Sequence, residues 1–251
     1  MSIRPYIVGN WKMNGTRAAL SEARAIDRGA ARHPGVEVGL APPTTLLSLM
    51  ADAVETIVLG GQDCHADSAG AFTGDISAAM LADVGAKFVI VGHSERRAGH
   101  KETDAAVRAK VEAAMGSGLG VIVCVGETAA QRDAGNAIAV VTKQLNGSLP
   151  VEAGTPGQVT VAYEPVWAIG TGNVPTPDDV STMHCAIRDQ LAQRYGAAHA
   201  GMRILYGGSV NAGNAVELLH CDEVGGALVG GASLTADSFL AIIAAAAPDA
   251  G

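Results

Sequence analysis

The feature that most constrains the fold of this chain is a repeated alternation of short β-branched runs with Ala-rich segments. Eight runs bounded by glycine or polar residues read as strands: 6–8, 36–40, 57–59, 88–91, 121–125, 159–163, 203–206 and 227–229. Segments of helical character lie between and after them, for example 16–31, 104–115, 178–195 and 237–247. Strands separated by helices pair in parallel through right-handed crossovers, and eight such units close a barrel. We therefore predict an α/β fold, a single-domain (β/α)₈ barrel that spans residues 1–251.

An open, doubly wound sheet is the alternative fold for such a pattern. A Gly-x-Gly-x-x-Gly turn after the first strand would favour it, but this chain has Gly9-Asn10-Trp11-Lys12 at that position. The length of 251 residues suits one barrel. Apart from the Pro- and Gly-containing loop at 150–157, nothing in the sequence marks a domain boundary.

The charge of the chain excludes several classes of partner. The net charge is −8 and there is no basic stripe, so we expect no binding to nucleic acid. No segment approaches the ~20 consecutive apolar residues of a transmembrane helix, and the N-terminus turns polar by Asn10 without a signal-peptide core. We expect a cytoplasmic protein with no membrane partner. An anionic substrate would need a locally positive site, because long-range attraction cannot deliver it.

The cysteines indicate neither a disulfide framework nor a metal site. The chain has four, Cys64, Cys124, Cys185 and Cys221, with no Cys-x-x-Cys pair. Three have a histidine as immediate neighbour, but adjacent residues point to different faces of a strand or helix, which is poor geometry for chelation. We expect reduced, mostly buried thiols and no metal.

Reactive side chains and glycines follow five of the predicted strands. In a closed parallel barrel these positions ring the carboxyl-terminal rim, where this fold carries its catalytic groups and often binds phosphate. Asn10 and Lys12 follow the first strand, His93 the fourth and Glu164 the sixth. Glycine pairs follow the seventh and eighth strands, at 207–208 and 230–231. We predict one active site at this rim.

Glu164 is the candidate base. Pro165 holds it in an extended conformation at the strand end, and the apolar surroundings beside Trp167 should desolvate the carboxylate and raise its basicity. The alternative is a strand-end acid in a salt bridge. His93 precedes Ser94, which resembles an N-cap, so the positive potential of a helix start should keep the imidazole neutral and able to donate to a carbonyl oxygen. A satisfied structural histidine is the alternative there.

Lys12 is the candidate cation for an anionic substrate, with Asn10 beside it as a neutral donor; a solvated surface lysine is the alternative. The two glycine pairs allow the backbone to approach a ligand and present N–H groups to a phosphate. Residues 168–172, Ala-Ile-Gly-Thr-Gly, describe either a lid or simply a flexible loop.

Five motifs resemble those of the triosephosphate isomerase family, the prototype of the TIM barrel. They lie at 10–15, 92–97, 162–172, 206–210 and 228–234, and the resemblance extends from Tyr6 to Ala246. It implies that Glu164 is the carboxylate base, His93 a neutral electrophile and Lys12 the cation beside the substrate. Asn10 and Glu95 would be supporting rim residues, Cys124 would match the family's buried cysteine of the fifth strand, and Glu127 would match its nearby acid. The phosphate-facing donors would be Gly170, Ser209, Gly230 and Gly231.

The resemblance also implies the reaction and the assembly. The enzyme would interconvert dihydroxyacetone phosphate and glyceraldehyde 3-phosphate through an enediolate, with no cofactor. Residues 165–172 would form a lid that Tyr206 and Ser209 receive on closing. A homodimer is implied, in which the loop 70–74, Gly-Ala-Phe-Thr-Gly, inserts near the Lys12 of the neighbouring subunit. The exposed Phe72 of that loop also needs a cover.

Three departures from the family pattern avoid the catalytic positions. The second hinge of the lid reads Asn173-Val174-Pro175, and Pro175 should stiffen it; Asp63 replaces a usual Asn, and Gly99 a common aromatic residue. Two other functions remain as alternatives. One is a barrel enzyme for a larger sugar phosphate, which would lack the combination of Lys12, His93 and Glu164. The other is a non-catalytic binding protein, which would have lost Glu164 or Lys12.

Overall fold

The computed structural model describes residues 3–247 except 153, 156 and 170–172, and its centre is a closed barrel of eight parallel strands. The strands follow the chain order around the barrel: β1 (Tyr6–Asn10), β2 (Glu37–Ala41), β3 (Val58–Gly61), β4 (Phe88–Val91), β5 (Gly120–Val125), β6 (Val159–Tyr163), β7 (Ile204–Tyr206) and β8 (Gly226–Val229). The closing pair is β1 with β8, in the register Tyr6↔Gly226 to Gly9↔Val229. The predicted barrel is confirmed.

Helices cover the outside of the barrel between the strands. They are α1 (Leu20–Ala30), α2 (Thr44–Ala51), α3 (Ala78–Asp83), α4 (Ser94–Gly99), α5 (Asp104–Gly116), α6 (Ala129–Asp133), α7 (Ala137–Ser148), α8 (Pro177–Tyr195), α9 (Ala215–Leu219) and α10 (Ala236–Ala245). Short 3₁₀ helices lie at Arg17–Ala19, Gly196–Gly201 and Gly231–Ser233. The predicted strands 88–91 and 159–163 match, and the others shift by one or two residues at their ends. The predicted helix at 16–31 is divided into a 3₁₀ turn and α1.

The alternation of side chains along the strands divides the core into two layers. Tyr6 and Val8 of β1 point into the barrel, where they pack with residues such as Phe88 and Leu228. Ile7, between them, packs against the surrounding helices. This period of two leaves both faces of every strand buried, as parallel barrels require. The rigid barrel therefore fixes where each strand ends, and the loops at those ends carry the candidate site.

Candidate active site

The predicted rim residues come together around one cavity at the carboxyl ends of the strands. The cavity has a volume of about 300 Å³, and Asn10, Lys12, His93, Glu164 and Ile169 line one side of it. The loops after β7 and β8 form the other side, with Ser209, Gly230 and Gly231 among the lining residues. Of the predicted site residues, Gly170 lies outside the described residues. Glu95 is at the rim but not in the lining; it contacts the site through Lys12.

Glu164 follows β6 directly and is almost completely buried, with 2 % of its surface exposed. Its amide donates to the carbonyl of Val125, at 2.7 Å, which continues the pairing of β6 with β5. Its Oε2 accepts the amide N–H of Ser94 at 2.8 Å, and its Oε1 lies 3.3 Å from the Ser94 hydroxyl. Oε1 also lies 2.9 Å from Nε2 of His93. The carboxylate is thus held by donors from the β4–α4 junction.

These contacts reverse the expected change in the basicity of Glu164. Burial is the largest influence and by itself raises the pKa of the carboxyl group. The His93 ring, the Ser94 amide and the Lys12 ammonium together outweigh burial, and the pKa of Glu164 falls below the ordinary glutamate value. The prediction of a raised pKa was wrong for this conformation, because residues distant in the sequence supply hydrogen bonds that the apolar strand end did not indicate.

His93 itself occupies the N-cap position of α4, and the expectation that Ser94 would do so was wrong. Its Nδ1 accepts the amide N–H of Glu95 at 3.3 Å. A neutral imidazole with Nδ1 as acceptor carries its proton on Nε2, which is the nitrogen that faces Glu164 and the cavity. The ring can therefore donate from Nε2 toward a ligand.

Contacts of both its backbone and its side chain hold Lys12 in position. It has a positive φ of 53°, which is uncommon for a residue with a Cβ. The Asn10 side chain accepts its N–H at 3.0 Å, and the Gln62 side chain donates to its carbonyl at 2.8 Å. Its Nζ lies 2.6 Å from Oε1 of Glu95. This pair is partly exposed, so its net contribution is about 1 kcal/mol or less, and an anion in the cavity can compete for the ammonium.

The glycine loops approach Lys12 from the opposite side of the rim. A Cβ placed on Gly230 would lie 3.5 Å from Cε of Lys12, so β1 and β8 bring these distant positions together. The carbonyl of Gly230 accepts the hydroxyl of Ser233 at 2.7 Å and its amide at 2.9 Å. The Gly230 carbonyl is therefore directed into the 3₁₀ helix that follows it, and not toward the cavity. That leaves the start of the helix, at Gly231, beside the cavity.

The first part of the predicted lid also lies at this rim. Ile169 lines the cavity. Trp167 donates from its indole N–H to Oε1 of Glu127 at 2.8 Å, and the Tyr163 hydroxyl donates to the same oxygen at 3.0 Å. Trp167 thus packs against Glu127, and the guanidinium of Arg132 lies 4.6 Å from its ring centroid. Residues 170–172 fall outside the described part of the chain.

Two residues that the sequence did not single out hold the strand end that carries Glu164. Gly126 follows β5, and a Cβ at this position would lie 1.7 Å from the carbonyl oxygen of Glu164. Gln144 of α7 accepts the N–H of Gly126 at 2.8 Å and donates to its carbonyl at 3.0 Å. A Gly after a strand and a Gln on a helix carry no distinctive pattern, so only their spatial arrangement identifies them.

Further observations concern metals, thiols and membranes. Within the described residues no cluster of three or more His, Cys, Asp or Glu has metal-binding geometry. All four cysteines are free; Cys64 and Cys124 are buried, whereas Cys185 and Cys221 are only partly buried, so the expectation of mostly buried thiols holds for two of them. No helix in the described part of the chain is both long and apolar enough to cross a membrane.

Fold and rim together define a (β/α)₈ barrel with a candidate active site at the carboxyl ends of the strands. The sequence matches the family model of triosephosphate isomerase over residues 5–246. It is 57 % identical to a triosephosphate isomerase of Xanthobacter flavus over 241 residues, covering 95 % of this chain and 96 % of the relative. It is 55 % identical to that of Afipia carboxidovorans over 243 residues, covering 96 % of each.

A solved structure gives the same result. The crystal structure of triosephosphate isomerase from Bartonella henselae superimposes with a TM-score of 0.90 at 48 % identity, covering 97 % of this chain and 99 % of that one. The chain belongs to the triosephosphate isomerase family, and it is an isomerase.

Proposed function

We propose that the chain, folded as one domain over 1–251, interconverts dihydroxyacetone phosphate and D-glyceraldehyde 3-phosphate through an enediolate. The observation that supports this most directly is the presence of three groups in one cavity: the Glu164 carboxylate, the Nε2–H of His93 and the Lys12 ammonium. An aldose–ketose isomerisation needs a base for a carbon-bound proton, a donor for the carbonyl oxygen and positive charge for the enediolate. The proton moves within one molecule, so the mechanism uses no cofactor.

The hydrogen bonds around Glu164 suggest how substrate binding would activate it. A substrate carbonyl would accept the same Nε2–H of His93 that now faces Oε1 of Glu164 at 2.9 Å. Loss of that contact removes one of the influences that lower the pKa of the carboxyl group, while burial, which raises the pKa, persists. The base would therefore become stronger when the substrate is in place.

The opposite side of the cavity would hold the phosphate. Backbone N–H groups of Gly170, Ser209, Gly230 and Gly231 would bind its oxygens, and a helix start at Gly231 adds favourable potential. Lys12, released from Glu95, would lie between the phosphate and the enediolate, with Asn10 holding its backbone. Lid residues 165–172 would then cover the cavity and exclude water, because an exposed enediolate can eliminate phosphate.

The proposal includes a cytoplasmic homodimer. Phe72 of the loop 70–74 is 41 % exposed, and its ring lies against the ring of His65 at a centroid distance of 4.0 Å. An exposed aromatic ring on a loop suits insertion into a second copy of the chain. That insertion would support Lys12 across the interface.

The experiment that tests the function is a coupled assay for glyceraldehyde 3-phosphate formed from dihydroxyacetone phosphate. Glu164→Gln keeps the shape of the base and removes its basicity, so kcat should fall by about three orders of magnitude, within the ~10²–10⁴ of general-base catalysis. Glu112→Gln, on the exposed face of α5, is the matched control and should behave like the parent. A parent without turnover would refute the function, and a Glu164→Gln variant with near-parental turnover would refute the assigned base.

A further inference from the structure

Glu164 lies between two cavities. The first is the rim cavity already described. A second cavity of about 240 Å³, here called the rear cavity, lies on the other side of the carboxylate, and Ser94, Ala98, Gly126 and Gln144 are among its lining residues. Among the described residues Glu164 is the one that lines both cavities. The candidate base therefore separates them.

The carboxylate has contacts with residues of both cavities, and Oε1 has them on both sides because it also lies 3.3 Å from the Ser94 hydroxyl. Oε1 lies 2.9 Å from Nε2 of His93, which lines the rim cavity. Oε2 accepts the amide N–H of Ser94 at 2.8 Å, and Ser94 lines the rear cavity. A group in the rear cavity can thus reach the carboxyl group without passing through the substrate position.

The rear cavity is suited to water. Its lining includes the polar side chains of Ser94, Thr128 and Gln144, and its volume of about 240 Å³ has room for several water molecules of about 30 Å³ each. Ala98 and Thr128 in the lining are exposed on the protein surface, so the cavity opens to solvent. This opening lies between α4 and the start of α6, and Val166 of the predicted lid also lines the cavity.

We propose that the rear cavity is a water site through which protonated Glu164 exchanges its proton with solvent. This inference rests on the proposed function. Glu164 takes a proton from one substrate carbon and becomes a neutral carboxylic acid beside the enediolate. The acid then either returns that proton to the neighbouring carbon or gives it to a rear-cavity water while accepting another from water. The exchange leaves the charge of every group unchanged, and it replaces the proton of the substrate with one from solvent.

The test measures how much label survives the reaction. Dihydroxyacetone phosphate deuterated at the transferred position is converted in ordinary water, and mass spectrometry gives the fraction of deuterium retained in product at low conversion. Ala98→Leu places a larger apolar side chain in the lining, and Ala98→Met is a second filling variant should leucine disturb α4. Ala98→Ser adds one polar atom and keeps the opening. Ala105→Leu, an exposed position of α5 that lines neither cavity, is the matched control.

We expect the filling variants to exchange label about tenfold more slowly, the effect of about 1.4 kcal/mol in the barrier to water entry, and therefore to retain more deuterium. Their kcat and KM should stay near the parental values, and Ala98→Ser and Ala105→Leu should match the parent. Equal retention in all variants would overturn the proposal and place the exchange at the rim cavity. A parent that does not isomerise the substrate would instead refute the proposed function, so the two failures are distinguishable.

Discussion

Gly126 offers the most direct test of how the barrel positions Glu164. The amide of Glu164 donates to Val125 at 2.7 Å and that of Val166 to Glu127 at 3.2 Å, so the two chain segments pass each other closely around Gly126. In Gly126→Ala, the new Cβ would lie 1.7 Å from the Glu164 carbonyl oxygen, where ordinary contact begins at 3.4 Å. The three nearest atoms all belong to the Glu164 backbone and cannot rotate away. The strand end that carries Glu164 must therefore move by about 1.7 Å.

The size of that movement sets the expected effect. A displacement of about 1 Å in a reacting group lowers the rate about 10²-fold, so kcat of Gly126→Ala should fall by at least that factor. KM should change little, because the proposed phosphate loops follow β7 and β8 on the other side of the rim. Overpacking of this kind also costs roughly 1–3 kcal/mol of stability, which thermal unfolding would detect while the variant stays folded at assay temperature.

Gly116→Ala is the matched control for this substitution. Gly116 ends α5, has no atom within 4 Å of a Cβ built on it and does not have a positive φ. Its replacement should leave turnover unchanged and raise stability by about 0.4–1 kcal/mol through the unfolded chain. Parental turnover in Gly126→Ala would refute the reasoning that this close approach positions the base.

Four further predictions follow from the same geometry. Lys12→Met should lower kcat/KM by about 10²–10³ and weaken binding of a phosphate inhibitor; parental values in both measurements would make Lys12 a surface lysine. Gln144→Leu removes both hydrogen bonds to Gly126, each worth about 1 kcal/mol, and should lower kcat about tenfold. Gln144→Glu keeps the acceptor and should recover part of the lost kcat. Equal kcat in both variants would contradict a positioning role for Gln144. The pKa of Glu164 is lowered in the folded protein, so its ionised form stabilises the fold above the ordinary glutamate range, and this stability is lost as pH falls through the folded pKa. In ¹³C NMR of the free enzyme the Glu164 carboxyl group should therefore titrate below 4.5. Titration above that value would contradict the lowered pKa. Thr73→Glu should divide the proposed dimer and reduce activity in the same sample, as measured by sedimentation and assay; an active dimer in the variant would contradict the loop assignment.

The sequence alone was sufficient for the barrel and for the places where the site residues lie. Strand and helix periods are local properties, so eight alternating units could be counted without knowing any long-range contact. Once the barrel was assumed, the ends of parallel strands had to meet at one rim. Lys12 and Gly230 were therefore predicted to face one site, and a Cβ on Gly230 would indeed lie 3.5 Å from Lys12.

The chemical state of the site depended on contacts that no local pattern contains. Ser94 and His93 lie about seventy positions before Glu164, yet they supply the hydrogen bonds that lower its pKa against the effect of burial. The two hydrogen bonds between Gln144 and Gly126 likewise join a helix to a strand end. A pKa and a close backbone approach are set by distances of a few ångströms between atoms from separate elements. Sequence periodicity determines which elements form and in what order, whereas these distances exist only after the elements have packed.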